Sequence, residues 1–238
     1  MKRLAASKLG RFIEARLTPG GELGLHLTAG LALMVLAVTV FGEIAEDVTE
    51  QDTITVIDLH ISRWFHVHAV EPLTSMMLFI SHLHGVAGTI ALSLLLGLYF
   101  HLRKAPYWLL TLAVAVPGGM LLNVLLKYVY QRARPTFEEP LLTLTTYSFP
   151  SGHTAAATLF YGVVACYAVM TWRSWSARTL AVVFTGVMVA LVATSRVYLG
   201  VHYPSDVMAA FVESCGWLAV CITAFSTLRR RRAARIDQ

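Results

Sequence analysis

An arginine, a histidine and a carboxylate close a long apolar run at Ser195-Arg196-Val-Tyr-Leu-Gly-Val-His202-Tyr-Pro204-Ser-Asp206. Pro204 suits the first position of a helix, which puts Asp206 in that helix's first turn and His202 just outside it, within side-chain reach. A carboxylate that accepts from one imidazole nitrogen sets the tautomer and leaves the other nitrogen free to attack or to take a proton. Arg196 adds a permanent, forked positive charge that matches phosphate oxygens. Taken alone, the stretch reads equally well as an interfacial arginine followed by a loop histidine.

Two other stretches carry related chemistry. In Lys127-Tyr-Val-Tyr-Gln-Arg-Ala-Arg134-Pro135, a helix persisting to Arg134 places both basic residues near one face, two turns apart, before Pro135 turns the chain away. A basic pair at a helix end is more often a snorkelling anchor. In Phe149-Pro150-Ser151-Gly152-His153-Thr154, an apolar run begins immediately afterwards. A helix N-terminus offers free N–H groups and the positive end of a dipole, and Gly152 admits an anion close to the backbone. Ser151 can donate from its hydroxyl and His153 stands beside any anion held there, although an ordinary capped helix start explains Ser and Gly as well.

The elements that must position these residues are membrane helices. With 56% hydrophobic and 14% charged residues and a mean hydropathy of +0.63, the chain is too apolar for a soluble globular domain. Apolar segments able to span fall at about 24–42, 71–100, 106–128, 154–172, 178–197 and 204–228. The expectation is an all-α, polytopic membrane protein, a six-transmembrane-helix bundle forming one domain over 1–238. The second segment is interrupted by Ser81, His82 and His84. Splitting it leaves a piece too short to cross a core of about 30 Å, so it reads as one long or tilted helix. Leu25 to Phe41 is long enough to span, and Phe41-Gly-Glu-Ile lacks the small residues of a signal cleavage site, so this run is kept as the first helix.

Basic residues set the orientation. Lys2, Arg3, Lys8, Arg11 and Arg16, then Arg103 and Lys104, then Arg173 and Arg178, then Arg229 to Arg232 and Arg235 all fall on one side of a six-span layout, which the positive-inside rule makes cytoplasmic. Both termini, 1–23 and 229–238, are then cytoplasmic in a cell (inner) membrane. Lys127, Arg134, Arg196 and most acids lie on the extracytoplasmic face. The net charge of +5 reflects this topology rather than a nucleic-acid partner. The outer loop 43–70 contains Ile54, Ile57, Ile61, Trp64 and Phe65 at helical spacing, as in a helix lying on the membrane surface. Cys166, Cys215 and Cys221 read as core residues. The pairs His66/His68 and His82/His84 point to different sides of a helix, which argues against a shared metal, and His26, His60 and His101 stand apart. Asn123 and Glu213 are polar residues within spans. Glu213 reads as a hydrogen bond to another helix, or as support for the site from two turns below Asp206.

Each of the three motifs falls at an outer helix end, so they can share one cavity. In that order and spacing the sequence resembles the type 2 phosphatidic acid phosphatase family, over residues 127–206 directly and through the span layout over most of the chain. The resemblance implies that His202 attacks phosphorus to give a phosphohistidine while Asp206 stabilises the imidazolium. It implies that His153 protonates the departing oxygen and later activates water. Lys127, Arg134, Arg196, Ser151 and the Gly152 backbone would hold the phosphoryl oxygens, with no metal or other cofactor required. The implied substrate is a lipid phosphate or diphosphate presented in the bilayer, such as undecaprenyl diphosphate, phosphatidylglycerol phosphate, phosphatidic acid or lipid A phosphates. A lipid phosphotransferase would use the same intermediate. A vanadate-dependent haloperoxidase shares the constellation but not six spans, and a non-enzymatic lipid binder or transporter has no need of both histidines with Asp206.

Overall fold

A computed structural model describes residues 25–236, with side chains described over 27–232. The expected cytoplasmic segment 1–23 and the last two residues of the expected tail lie outside the described residues. The described chain is helical, without strands: α1 Leu25–Glu50, α2 Thr53–Val67, α3 Leu73–Leu83, α4 Val86–Leu102, α5 Pro106–Tyr130, α6 Gly152–Thr171, α7 Trp175–Tyr198 and α8 Pro204–Ile236. Among the described residues, α1, α5, α6, α7 and α8 are each long and apolar enough to cross a membrane, and the bent pair α3–α4 is long and apolar enough to make a sixth when its two helices are counted as one broken span.

The bundle is arranged around α6, which packs against α5, α7 and α8. Its first turns carry Ala155, Ala156 and Ala157, all buried, so neighbouring backbones approach closely. Facing it, Gly119 of α5 has no room for a side chain, because a Cβ there would come within 2.5 Å of Leu159. Lower in the bundle Phe100, Trp108 and Tyr167 close the core, Trp108 and Tyr167 edge to face with centroids 5.4 Å apart. α1 lies along α8.

Four expectations are corrected. The segment 71–100 is not one long helix: α3 and α4 meet at a 57° bend. His84 is the C-terminal cap of α3, and the histidine rings fold back on the helix, Nδ1 of His82 to the Leu78 carbonyl and Nδ1 of His84 to the Ile80 carbonyl, each at 2.8 Å. α1 does not stop near 42 but continues to Glu50, because Ile44, Ala45 and Val48 recur at helical spacing and bury against Phe149 and Ala209. The stretch expected as loop from 43 is therefore helical up to Glu50, and only Gln51 and Asp52 separate α1 from α2. α8 likewise runs beyond 228, carrying the arginine cluster as helix to Ile236. Finally, α5 ends at Tyr130, where Gln131 adopts a left-handed conformation, so Arg134 lies on the following loop and not on the Lys127 helix.

α2 forms as its spacing requires and is capped by Asp52, whose carboxylate accepts from the Thr53 N–H. Its buried residues are polar, Asp58 and Ser62, while Ile57, Ile61 and Trp64 are exposed. An apolar face turned outward and a polar face turned toward the protein is the arrangement expected of a helix resting against lipid.

Candidate active site

The turn between α7 and α8 carries the central histidine. Gly200 takes φ +70° there, and a Cβ on it would collide with Phe137, so the turn requires glycine. The N–H groups of Val201 and His202 both donate to the Arg196 carbonyl, which places the His202 ring beneath the end of α7. α8 starts at Pro204, as its sequence predicts. Nδ1 of His202 meets Oδ2 of Asp206 at 3.2 Å, and the Tyr203 N–H donates to the same oxygen at 2.9 Å. A carboxylate fixed in this way assigns the ring proton to Nδ1 and leaves the Nε2 lone pair pointing away from it. Burial holds the His202 imidazole well below its ordinary pKa, reinforced by Arg134, Lys127 and Arg196, so the ring is neutral near pH 7.

Nε2 of His202 faces Arg134, whose Nη1 donates to it at 3.2 Å. The same guanidinium donates to the carbonyls of Val201, Thr146 and Tyr147 and to the Thr146 hydroxyl, so it ties the 131–151 loop to the α7–α8 turn. Lys127 reaches this loop from the end of α5, donating to the Tyr147 and Ser148 carbonyls at 2.8 and 3.2 Å. A Cβ at Gly152 would lie 4.0 Å from Cε of Lys127, so the start of α6 and this lysine are adjacent. The Ser151 N–H donates to the Asp206 carbonyl at 3.0 Å, which locks the start of α6 to the first turn of α8.

Arg196 is 1% exposed, and its Nη1 donates to the Ser81 hydroxyl at the α3–α4 break. Its Nε and Nη2 have no hydrogen-bond partner. Unmatched donors on a buried guanidinium are costly unless an anion shares the site. His153 stands within electrostatic reach of Arg196, His202, Arg134 and His84, and a Cβ at Gly85 would lie 3.8 Å from its Nε2. Thus Lys127, Arg134, Ser151, Gly152, His153, Arg196, His202 and Asp206 gather at one end of the bundle. The seven-residue offset is not what unites Lys127 with Arg134: the loop does so by folding back, with the Ser148 N–H on the Arg132 carbonyl at 2.9 Å.

Residues that sequence reasoning left out complete the cluster. Arg132 donates to Asp206 Oδ1 at 2.7 Å and to Asp58 Oδ2 at 2.8 Å, and both carboxylates are fully buried. Nothing in the spacing of Arg132 distinguished it from an anchor, and Asp58 sits among apolar residues of α2 without a motif. Ser81 was visible only as an interruption. Glu213 accepts from Asn123 across α5 and α8 at 3.1 Å, the interhelical hydrogen bond anticipated for it. Three other histidines have identifiable partners: His84 reaches the Tyr161 hydroxyl at 2.9 Å, His68 the Trp64 carbonyl at 2.8 Å, and His66 stacks on Phe137. Among the described residues no three His, Cys, Asp or Glu side chains are grouped so as to hold a metal ion.

Comparison with known proteins agrees with this architecture. The pattern of the PAP2 superfamily matches residues 106–230. Phosphatidylglycerophosphatase B of Bacillus subtilis is 37% identical over 141 residues, covering 58% of this chain and 68% of that protein. An undecaprenyl-diphosphatase of Sulfolobus acidocaldarius is 29% identical over 167 residues, 68% and 72% of the two chains. The crystal structure of a transmembrane PAP2 type phosphatidylglycerolphosphate phosphatase from Bacillus subtilis superposes with a TM-score of 0.71 at 31% identity, over 80% of this chain and 94% of that one. That of Aquifex aeolicus LpxE shares the fold, with a TM-score of 0.55 at 21% identity over 69% and 94%. The chain belongs to the PAP2 superfamily and is a membrane phosphatase, a hydrolase of that family.

Proposed function

We propose that this enzyme hydrolyses the phosphate or diphosphate head group of a membrane lipid at the extracytoplasmic face, through a phosphohistidine on His202. The observation that carries the reading is the His202 ring: Nδ1 is held by Asp206, and Nε2 faces a cluster of cations in which Arg196 keeps two N–H donors unmatched. A phosphoryl group seated there receives Arg196 Nε and Nη2, the Lys127 ammonium and the N–H groups at the start of α6, including that of Gly152, with Ser151 beside them. Arg134 joins by exchanging its Nη1 contact with His202 for a phosphoryl oxygen, which frees Nε2 for attack in the same movement.

In the first step the Nε2 lone pair forms a bond to phosphorus and the ester or anhydride oxygen leaves with a proton from His153. Asp206 stabilises the positive imidazole. In the second step His153 takes a proton from water, whose oxygen attacks phosphorus and releases His202. Lys127, Arg134 and Arg196 meet the transition-state charge, so the reaction proceeds without a metal. The lipid class is supported by a site at the end of spanning helices and by the activities of the relatives, which point to phosphatidylglycerol phosphate or undecaprenyl diphosphate. The distribution of Lys and Arg supports an outward-facing site with both termini cytoplasmic. In this reading the whole chain forms one membrane-embedded domain.

The test is phosphate release by purified protein in detergent, with chelator present, from a panel of lipid phosphates and diphosphates. Release from one or more of them is expected. No release, or transfer to a lipid alcohol without release, would replace hydrolysis by binding or by phosphotransfer.

A further inference from the structure

Asp206 uses its two oxygens for different partners. Oδ2 holds Nδ1 of His202 and the Tyr203 N–H, while Oδ1 is held by Nη1 of Arg132 at 2.7 Å. Arg132 comes from the loop after α5, and its Nη2 reaches Asp58 Oδ2 on α2 at 2.8 Å. Asp58 in turn accepts from the Ser205 N–H at 2.9 Å and from the Ser205 hydroxyl, and Arg132 Nη1 donates to that hydroxyl at 2.7 Å. Tyr203 lies under the guanidinium, 4.3 Å from its carbon to the ring centroid. Both carboxylates are fully buried, and this arginine is the cation that each of them contacts directly.

We infer that Arg132 and Asp58 are positioning residues for the histidine nucleophile, acting through Asp206 rather than on the phosphate. The inference rests on His202 being that nucleophile. A carboxylate next to an imidazole can rotate about its own bond and offer either oxygen, or shift its axis away from the ring. Clamping Oδ1 with one fork of a guanidinium removes that freedom, and the clamp is itself anchored because the other fork is fixed on α2. Ser205, second in α8, is drawn to the same Asp58, so the first turn of α8 is held at a set distance from α2. Lys127, Arg134 and Arg196, from α5, the 131–151 loop and α7, and His153 of α6 act electrostatically on the His202 ring, and the proposed phosphoryl seat lies among them. Arg132 lies on the far side of Asp206, where it touches the carboxylate and not the ring.

The separation of roles gives a separable readout. Phosphate release by the detergent-purified full chain is measured with Arg132→Gln, Arg132→Lys, Asp58→Asn and the double variant Arg132→Gln/Asp58→Asn, alongside inhibition by inorganic phosphate and thermal melting. Arg132→Gln is expected to lower kcat by about tenfold or more, the scale of losing a group that orients a catalytic side chain, with KM and the phosphate inhibition constant changed less than about twofold. Arg132→Lys, which keeps the charge but not the fork, falls between wild type and Arg132→Gln. The double variant is expected to lose less than the product of the two single losses, because both act through one contact. An unchanged kcat in folded Arg132→Gln overturns the inference, as does a phosphate inhibition constant that weakens in step with kcat, which would place Arg132 in the phosphate seat. Independent, multiplicative losses overturn the shared role of Asp58. Wild-type protein that releases no phosphate overturns the phosphatase reading and this inference with it.

Discussion

Nη1 of Arg134 donates to Nε2 of His202 at 3.2 Å, while Arg196 leaves Nε and Nη2 without a partner in the same cluster. Two arginines of one site are thus in opposite conditions. Arg134 is spent on the protein, holding carbonyls of the loop and the turn, whereas Arg196 is buried with donors to spare.

Their replacement should separate stability from function. Arg134→Lys removes the fork that joins the loop to the α7–α8 turn, and is expected to lower both melting temperature and kcat/KM, the latter by about a hundredfold. Arg196→Met removes a buried charge with unmatched donors and supplies apolar volume. Its melting temperature is expected to hold or rise while phosphate release falls by about a hundredfold or more. A clear loss of stability in Arg196→Met would show that the guanidinium is structurally satisfied.

His202→Ala is expected to abolish turnover while retaining the fold and lipid binding, at a lowered melting temperature because the ring is buried. Phosphate release and lipid co-purification measure the two properties separately. Substantial residual hydrolysis would remove His202 from the role of nucleophile.

The lowered pKa of His202 has a consequence for stability. Above the unfolded value of about 6.5, both states are neutral at this group and it adds no pH dependence. Below it the unfolded chain binds a proton that the folded chain refuses, so stability falls as pH drops from about 6.5 toward the folded pKa, by up to about 1.4 kcal/mol per pH unit. Melting of wild type and His202→Gln is compared between pH 7.5 and 5.5. The wild type should lose stability relative to the variant on acidification, and a constant difference would contradict the burial of a neutral ring.

Orientation is tested by labelling. In a background with Cys166, Cys215 and Cys221 replaced, Glu138→Cys, on the loop after α5, should react with an impermeant thiol reagent in cells with a permeabilised outer barrier. Ser174→Cys, between α6 and α7, should not. The reverse pattern would put the site on the cytoplasmic face, and labelling of both would mean a miscounted span.

The sequence by itself determined the helical membrane class and two local arrangements. Long apolar runs have no other way to satisfy their backbone in lipid, so five of the spans were legible from composition alone. Pro204 and the spacing to Asp206 made the His202–Asp206 contact legible because it spans one turn of a single element. Gly152 at a helix start was local in the same sense. Tertiary structure decided the rest, since the remaining partners are far apart in sequence. Arg134 meets His202 only because α5 stops at Gln131 and the loop folds back, a choice that helix propensity at Tyr130 to Arg134 did not reveal. The break at His84 and Gly85, where His84 ends α3 and extended Gly85 opens α4, interrupts an apolar run that composition reads as continuous, and Ser81 just before it meets the Arg196 guanidinium. Asp58 and Arg132 carry no motif, and each is an ordinary polar residue of a loop or surface helix until folding buries two carboxylates around one guanidinium. Burial converts those charges from solvated bystanders into partners that must be matched, and burial is a property of the packed bundle.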